Sequence, residues 1–464
     1  MPDTLEILSP YDGHLIKKLV LNTEAEMETA LQIASGLANN PDTRIPTPDR
    51  ISILEKTADL VEQRIEDYAR QAAEEGGKPL VDSRVELNRA VQGIREAARS
   101  IPHLAGREIP MNLNAASLNH MAYTLREPIG VVVAISAFNH PFNLIVHQAI
   151  PAIAAGCPVI VKPARTTPIS CYNLLDCLYE AGLPPEWCQP LLCDSKIGEK
   201  LATDPRVAFL SFIGSGAVGW KLRSKLAPGT RCALEHGGAA PVIVDADADL
   251  KSALPGLAKG GFYHAGQVCV SVQKIYVHES RVDEFSHGLV ELAKQLKVGD
   301  PLDASTEVGP LISKGDVDRV HEWVQEASKA GASILCGGKK IGETCYEPTV
   351  ILDPPDDVNV SCSEIFGPVV VIYSFKDRLD AIRRANETKF SFQAAVYTQN
   401  LNTALDTVKR LNAKAVMVNE HTAFRVDWMP FGGRKQSGLG VGGILPAMEE
   451  MTEEKLMILK SPSV

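Results

Sequence analysis

The sequence predicts an α/β fold in which two parallel β-sheets are covered by helices. Between residues 129 and 230, strand-like runs rich in Val and Ile alternate with amphipathic helical segments, a pattern typical of βαβ units. A second alternation of the same kind extends from residue 241 to residue 411. The chain has 464 residues, which corresponds to roughly two to four domains. Each series is therefore long enough to form a domain with its own core.

The chain begins with a short extended segment that is followed by helices. Residues 9–13, Ser-Pro-Tyr-Asp-Gly, predict a turn between two strand-like pieces in residues 1–22. Apolar residues then recur at helical spacing in residues 23–99, and Asp49 is placed to cap the second of these helices. Residues 115–127 alternate between polar and apolar side chains, which predicts an exposed strand or hairpin.

The middle of the chain contains the candidate strands and helices of the two sheets. In the first series the strands are 131–136, 158–163, 188–193 and 207–213, and the helices are 142–155, 169–181, 195–203 and 217–227. In the second series the strands are 241–245 and 274–278, and the helices are 249–264, 280–296, 314–330, 377–387 and 401–411. The carboxylates of Asp245, Asp247 and Asp249 are placed to cap the first helix of the second series.

Composition and charge are those of a soluble globular protein. Hydrophobic residues make up 45%, charged residues 22%, and the mean hydropathy is −0.03. The formal charge of −10 argues against nucleic acid or an anionic membrane as the main partner. Residues 1–6 lack the features of a signal peptide, and the apolar run 131–135 is too short for a membrane span. The ten cysteines show no metal-type spacing, which predicts reduced thiols, a cytoplasmic location and no metal.

A cysteine and a glutamate are candidates for nucleophilic catalysis. Cys269 follows Gly266-Gln267-Val268 and precedes the strand-like run 274–277. A thiol nucleophile needs a base, and its acyl intermediate needs an activated water; the carboxylate of Glu235 can serve both steps. The alternative is that Cys269 is a small buried apolar residue, as most unligated cysteines are.

Three further segments follow predicted strands of the first series. Phe212-Ile213-Gly214-Ser215-Gly216-Ala217-Val218-Gly219 fits G-x-G-x-x-G, in which backbone amides approach a phosphate at a helix N-terminus; a glycine-rich packing turn is the alternative. Lys162 ends another strand, where α/β sheets bind ligands, although a solvated lysine explains it equally well. Asn139 follows a third strand and its amide can donate to an oxyanion, or it simply forms a turn before Pro141.

Taken together, these segments resemble the aldehyde dehydrogenase superfamily over nearly the whole chain. The motifs that carry the resemblance are Phe138-Asn139-His140-Pro141, Val161-Lys162-Pro163, Phe212-Ile213-Gly214-Ser215, Leu234-Glu235-His236-Gly237-Gly238, Gly266-Gln267-Val268-Cys269, Glu364-Ile365-Phe366-Gly367-Pro368 and Pro430-Phe431-Gly432-Gly433. The resemblance implies a Rossmann-type cofactor domain, an α/β catalytic domain and a small β oligomerisation hairpin. The cofactor domain would comprise residues 1–109 and 126–236, and the catalytic domain residues 237–440. The oligomerisation element would comprise residues 110–125 and 441–464.

The resemblance also implies roles for individual residues. Cys269 matches the nucleophile and Glu235 the general base, while Asn139 and the backbone amide of Cys269 match the oxyanion hole. NAD or NADP is the implied cofactor, and the residues at matching cofactor-binding positions are Ser136, Lys162, Arg165, Gly214, Ser215, Gly219, Glu364 and Phe366. The implied reaction is thiolate attack on an aldehyde and hydride transfer to the nicotinamide. Water activated by Glu235 then hydrolyses the thioester.

Two positions depart from the pattern of the family. His236 stands where relatives often have leucine, directly after the glutamate of the motif. Arg165 stands where relatives that prefer NAD commonly have a glutamate that bonds to the adenosine ribose. A guanidinium cannot accept those bonds and favours a 2′-phosphate. We therefore expect NADP to be accepted, unless Arg165 points into solvent and NAD is used.

The substrate is predicted to be a short aldehyde that carries a carboxylate, sulfonate or phosphonate, such as a semialdehyde, sulfolactaldehyde or phosphonoacetaldehyde. The positions that match the substrate tunnel are His140, Asn143, His147, Tyr263, His421 and Arg425. An unpaired buried guanidinium is costly, so Arg425 indicates an anionic partner; a salt bridge to Glu420 or Asp427 is the alternative. General aliphatic or hydroxyaldehyde oxidation, CoA acylation and a non-enzymatic binding role are the competing functions.

The end of the chain predicts an assembly of subunits. Lys455-Leu456-Met457-Ile458-Leu459 is an apolar strand that would leave an unpaired edge in a monomer. Docking this edge on another subunit would pair the free backbone N–H and C=O groups of the strand. We therefore expect a homodimer or homotetramer. The predicted partners are thus a small-molecule aldehyde and further copies of the chain, with no nucleic acid and no membrane.

Overall fold

The computed structural model describes residues 3–463 and has the predicted α/β architecture. A six-stranded sheet is formed, in spatial order, by Gly438–Leu439, Arg231–Glu235, Val207–Ile213, Val131–Ile135, Val159–Lys162 and Cys188–Pro190. All neighbouring pairs are parallel except the first, in which Gly438–Leu439 runs antiparallel to Arg231–Glu235. The helices of this part are Asn143–Ala155, Ile169–Glu180, Ser195–Thr203 and Gly216–Arg223. The first predicted series is therefore confirmed, with its last helix ending earlier than expected.

The second sheet has seven strands. Their spatial order is Ser333–Cys336, Thr349–Leu352, Val369–Phe375, Lys274–His278, Val242–Val244, Gln393–Tyr397 and Ala415–Val418. The accompanying helices are Leu250–Phe262, Val282–Gln295, Lys314–Lys329, Asn359–Cys362, Arg378–Asn386 and Leu401–Arg410. The last helix, Ile444–Glu450, packs instead in the apolar core of the first sheet. Asp249 caps the first of these helices by accepting the N–H groups of Lys251 and Ser252, as predicted. Asp245 and Asp247 do not cap it, because they accept from Ala246 N and Thr398 Oγ1 instead.

Both faces of the first sheet are buried. Val132 and Ala134 pack into one apolar cluster, whereas Val131, Val133 and Ile135 pack into the cluster on the opposite face. Successive side chains of a strand point to opposite faces, so a run of apolar residues is needed to cover both. Burying each such side chain stabilises the fold by roughly 1.5–3 kcal/mol.

The helical N-terminal part packs against this sheet. Its helices are Glu24–Asn39, Thr47–Gln63, Ile65–Gly76 and Leu80–Ser100, preceded by the strands Thr4–Leu8 and Leu15–Val20. The prediction that Asp49 caps the second helix is wrong, because the helix begins at Thr47 with Pro46 at the capping position. Asp49 lies in the first turn instead, where a carboxylate still favours the positive end of the helix dipole.

Buried glutamates fix the helices that follow two strands of the first sheet. Glu86 accepts the backbone N–H groups of Phe142 (3.0 Å) and Asn143 (2.9 Å) and forms an ion pair with Lys78. Glu75 caps the helix Ile169–Glu180 in the same way. Losing one member of a buried pair is strongly destabilising, so Glu86 holds in place the helix that directly follows Asn139.

A third, antiparallel sheet stands apart from the other two. The terminal strand Thr452–Lys460 pairs with His120–Pro128, which in turn pairs with Glu108–Ile109. Leu456 and Ile458 are about half exposed on the outer strand, consistent with the predicted edge. The domain bounds and the oligomeric state stay predictions; Gly438–Leu439, assigned to the catalytic domain, pairs with the first sheet. Within residues 3–463 no helix has the length and apolarity that a membrane crossing requires.

Candidate active site

A cavity of about 580 Å³ brings together the three predicted catalytic residues, Asn139, Glu235 and Cys269. Its floor is the edge where the parallel strands of the first sheet end, because Ser136, Gly214 and Glu235 all lie at or just after the carboxyl ends of strands. Open α/β sheets bind ligands at this edge. The segment that carries Cys269 closes the cavity from the side of the second sheet.

The turn before Cys269 has an unusual backbone. His264, Ala265 and Gly266 have φ angles of +50°, +53° and +68°, and a non-glycine residue held in this region costs about 1–3 kcal/mol. A side chain at Gly266 would overlap the carbonyl of Gly367. The side chain of Gln267 holds the turn, because its Nε2 donates to Pro310 O (3.1 Å) and its Oε1 accepts from Ile312 N (2.9 Å). The Gly-Gln pair of the motif therefore shapes the loop that presents the thiol.

Burial keeps the thiol protonated at neutral pH. Burial, with smaller contributions from the charges of Glu235 and Glu364, raises the pKa of the Cys269 thiol to about 12. Burial also raises the pKa of Glu235, while the charges of Arg425 and Lys414 oppose this effect. Because the thiolate is the reactive form, a base is needed. Glu235 is a carboxylate on the wall of the same cavity.

Asn139 is fixed beside the cysteine loop. The residue is buried, and its amide nitrogen donates to Gln267 O at 3.0 Å. This bond points the amide at the backbone just before Cys269. A second N–H of the same amide remains available for an oxyanion on a carbon attached to Cys269.

The predicted cofactor residues divide into two groups. Ser136, Gly214, Ser215, Glu364 and Phe366 line the cavity, whereas Lys162, Arg165 and Gly219 do not. The hydroxyl of Ser136 is buried and has no hydrogen-bond partner within residues 3–463. The N-terminus of helix Gly216–Arg223 also opens beside Gly214 and Ser215, with the unpaired N–H groups of a first helical turn. These groups fit a phosphate-bearing cofactor such as NAD or NADP.

The packing of His236 explains why residue 219 is a glycine. A side chain at this position would overlap the ring of His236, which packs between Phe212 and Trp220 with centroid distances of 5.7 Å. His236 Nδ1 donates to Gly214 O at 2.9 Å. Gly219 therefore leaves room for His236, and His236 fixes the Gly214 turn.

Lys162 and Arg165 lie beyond the cavity wall. The stem of Lys162 lies against Gly198, and burial lowers the pKa of its ammonium group. Arg165 is exposed. Glu364, in contrast, accepts the N–H of Gly238 at 3.2 Å, and burial raises its pKa to about 8.

Asp427 does not itself line the cavity, but it binds three residues that do. This buried carboxylate accepts hydrogen bonds from Arg89 (2.7 and 3.1 Å), Asn143 (3.2 Å) and His147 (2.6 Å). Although burial opposes ionisation, the His147 hydrogen bond and the Arg89 charge hold the pKa of Asp427 well below its usual range. The aspartate is therefore a fixed anion that orients three cavity residues.

Arg425 lines the cavity without a carboxylate partner in the described part of the chain. Its Nη2 donates to His147 Nδ1 at 3.3 Å, and the guanidinium lies 3.5 Å above the Phe431 ring. Burial and the charge of Arg425 lower the pKa of His147 to about 4, so its neutral ring accepts from Arg425 and donates to Asp427. Neither of the alternative salt bridges, to Glu420 or to Asp427, is formed in residues 3–463.

Five of the six predicted substrate residues line the cavity, and His421 does not. Arg425, His140 and Tyr263 line the cavity, and so do Asn143 and His147. Both ring nitrogens of His147 are bonded, and Asn143 Nδ2 donates to Asp427, so both residues fix Asp427. Asn143 Oδ1 has no hydrogen-bond partner within residues 3–463, so it can accept a bond from a ligand. His421 does not line the cavity, since its ring packs against Gly256 and Gly260 of the adjacent helix.

Sequence reasoning missed Arg89. It lies on helix Leu80–Ser100 and lines the cavity, with Nε and Nη2 bonded to Asp427 and Nη1 left over. Its partner is separated from it by 338 residues along the chain. No local pattern connects the two.

The fold and site define a class of enzyme that acts through a cysteine and a glutamate beside a dinucleotide-binding sheet. The aldehyde dehydrogenase family matches residues 1–457. The chain is 38% identical over 458 residues to 3-sulfolactaldehyde dehydrogenase of Priestia megaterium, covering 98% of this chain and 95% of the relative. The chain belongs to the aldehyde dehydrogenase family, which confirms the predicted class, an NAD(P)-dependent aldehyde dehydrogenase.

Solved structures agree with this assignment. Aldehyde dehydrogenase 21 from Physcomitrella patens, in complex with the reaction product succinate, superposes with a TM-score of 0.96 at 34% identity, covering 99% of this chain and 95% of that one. Glyceraldehyde-3-phosphate dehydrogenase from Methanocaldococcus jannaschii, complexed with NADP, has a TM-score of 0.93 at 34% identity and covers 99% and 100%. The predicted fold is therefore confirmed.

Proposed function

We propose that the protein oxidises a short aldehyde bearing a carboxylate, sulfonate or phosphonate to the corresponding carboxylic acid. The observation that carries this proposal is the guanidinium of Arg425, which faces the catalytic cavity without a carboxylate partner in residues 3–463. Burial and the charge of Arg89 lower the pKa of Arg425, so a neighbouring cation and a partly dry site both disfavour its charge. An anionic group on the substrate would offset this cost.

The positions of the donors fit an anion at the far end of a short substrate. His140 and Tyr263 line the cavity with Arg425, and Arg89 keeps one nitrogen free of Asp427. Several donors can share the oxygens of one carboxylate or of one tetrahedral oxyanion. The 3-sulfolactaldehyde and aspartate semialdehyde of two relatives' names are aldehydes of this class. The succinate bound as the reaction product in a third relative is the acid that oxidation of such an aldehyde gives. All three support the proposal.

The chain's own residues support the following sequence of steps. Glu235 removes the proton of Cys269, and the thiolate attacks the aldehyde carbon. The amide of Asn139 and the backbone N–H of Cys269 stabilise the oxyanion. Ser136, Gly214, Ser215, Glu364 and Phe366 would hold NAD or NADP, which would supply the hydride acceptor when bound. Glu235 then takes a proton from the water that hydrolyses the thioester on Cys269.

The test of the substrate class is Arg425→Ala. We expect KM for an anionic aldehyde such as succinic semialdehyde to rise by roughly a hundredfold, because the charge-assisted contact is lost. Turnover of propionaldehyde should change little, and it serves as the control for an intact site. Arg425→Lys should recover part of the loss. Equal losses on both aldehydes would contradict the proposal, since they would show that Arg425 supports the site in general.

The choice between NAD and NADP is tested with Arg165→Ala. Arg165 is exposed, and we propose that it contacts the 2′-phosphate of NADP. A charge-assisted hydrogen bond contributes roughly 1.5–3 kcal/mol, which corresponds to about a ten- to hundredfold change in affinity. Because solvent screens an exposed charge, we expect the loss of NADP affinity to be about tenfold. The affinity for NAD should not change, and Arg99→Ala, an exposed arginine elsewhere, is the matched control. An unchanged NADP-to-NAD ratio would show that Arg165 takes no part.

A further inference from the structure

Three charged groups meet the short segment from Gly440 to Gly443. Lys414 Nζ donates to Gly440 O at 2.6 Å, and the carboxylate of Glu450 accepts the N–H of Val441 at 3.0 Å. The carboxylate of Glu235 lies against Gly442, where any side chain would overlap its Oε1. The general base, a lysine and a second glutamate thus share one stretch of backbone.

The segment is also fixed to the strand that carries the base. Gly438 and Leu439 pair with Glu235 and Leu234 in the first sheet, so the distance from strand to segment is set by backbone hydrogen bonds. Lys414 and Glu450 are both partly exposed. They are therefore placed between the buried base and solvent, and nothing in the reaction steps above uses them.

The proposed function requires that Glu235 be cleared of protons repeatedly. Conversion of the thiol and the aldehyde into a thioester releases one proton, and hydrolysis of the thioester releases a second one. Glu235 takes up each proton, and it must be ionised again before it can act once more. A cofactor and a substrate bound in the cavity that Glu235 lines would hinder direct exchange of its proton with solvent.

We propose that Lys414 and Glu450 return the proton from Glu235 to solvent after each half-reaction. No ion pair joins Lys414 to either glutamate within residues 3–463, so each transfer passes through water. The Lys414 ammonium first gives a proton through water to Glu450. Its neutral amine then receives the proton of Glu235 through water, which restores both the ammonium and the carboxylate, and Glu450 releases its proton to solvent. The inference rests on the proposed function and makes Lys414 and Glu450 positioning residues, because they act through Glu235.

The electrostatic surroundings favour such an exchange. Burial lowers the pKa of Lys414 and raises the pKa of Glu450, and burial likewise raises the pKa of Glu235. The ammonium and the two carboxyls are therefore closer in proton affinity than they would be in water. The other charged or titratable groups that act on this cluster are Cys269, Arg425, Arg434 and Arg231.

The test compares Lys414→Met and Lys414→Arg with Lys409→Met, which removes an exposed lysine. In both Lys414 variants the first turnover of NADH or NADPH should form at the wild-type rate, because Glu235 starts ionised. Steady-state turnover should fall by about ten- to a hundredfold, and added imidazole should restore it. Arginine keeps the charge but does not release its proton, so it should not replace lysine. Lys409→Met should behave as wild type.

Other results would overturn the relay. These are an unchanged steady-state rate in Lys414→Met, full activity in Lys414→Arg, or a loss that imidazole does not relieve. Glu450→Gln provides an independent check, since it should show the same slow steady state and the same response to imidazole; wild-type behaviour would remove Glu450 from the route. A wild-type protein that forms no NADH or NADPH from any aldehyde would instead refute the proposed function and the relay with it.

Discussion

Replacing Cys269 with alanine should lower aldehyde oxidation by roughly 10³-fold or more. In the proposed reaction the thiol bonds to the aldehyde carbon, and no other cysteine within residues 3–463 lines the cavity. The fold should survive, because the substitution removes one atom from a residue that faces the cavity. Steady-state formation of NADH or NADPH measures the effect, and the thermal midpoint confirms folding.

The other cysteines offer matched controls. Cys362 is an exposed free thiol far along the chain, and Cys362→Ala should retain wild-type turnover. Iodoacetamide should inactivate the wild type in step with labelling of Cys269. More than a trace of turnover in Cys269→Ala would refute the assignment of the nucleophile, whatever the result for the remaining nine thiols.

Glu235→Gln should lower steady-state turnover by roughly 10²–10⁴-fold. Both steps lose their base, but the thiol can also be ionised by hydroxide from solvent, so thioester formation slows less than its hydrolysis. The thioester should therefore accumulate on Cys269, and intact-protein mass spectrometry after a single mixing with aldehyde and cofactor detects it. Absence of both the thioester and any first turnover would mean that Glu235 is already indispensable for attack.

The pH dependence follows from the same residue. Glu235 must be ionised to act as a base, and burial raises its pKa above the usual value for a glutamate. Turnover should therefore be present at high pH and fall as the pH decreases through this raised pKa. In Glu235→Gln the decrease in turnover that follows ionisation of Glu235 should disappear from the pH profile. The residual rate should instead rise with pH as hydroxide ionises the thiol, because the pKa of Cys269 is raised to about 12.

The sequence predicted most of the framework because the relevant signals are local. Strand Val207–Ile213 and helix Ser195–Thr203 have the predicted bounds, since apolar periodicity and capping residues lie within each element. Strand Val369–Phe375 was missed although it is a run of almost entirely buried apolar residues. Strand Val131–Ile135 is an equally continuous apolar run and was predicted, so the same signal is present at Val369–Phe375.

The site could be predicted only where a single segment carries the chemistry. Cys269, Glu235 and Asn139 each lie in a motif, and the structure brings all three to one cavity. Arg89 and Asp427 form an ion pair although 338 residues separate them along the chain. A local pattern could therefore show neither this pair nor that Asp427 does not pair with Arg425. His421 was predicted to bind substrate, whereas its ring lies against Gly256 and Gly260 and does not line the cavity.

The central claim is that the cavity selects an anionic aldehyde for oxidation through Cys269. The most direct measurement is kcat/KM of the wild-type protein for succinic semialdehyde and for its uncharged methyl ester, each with saturating NAD and NADP. The arrangement of Arg425, Arg89 and Asp427 predicts a preference of about a hundredfold for the anion, which salt should weaken. Equal values for the two aldehydes, or a preference for the ester, would contradict the account.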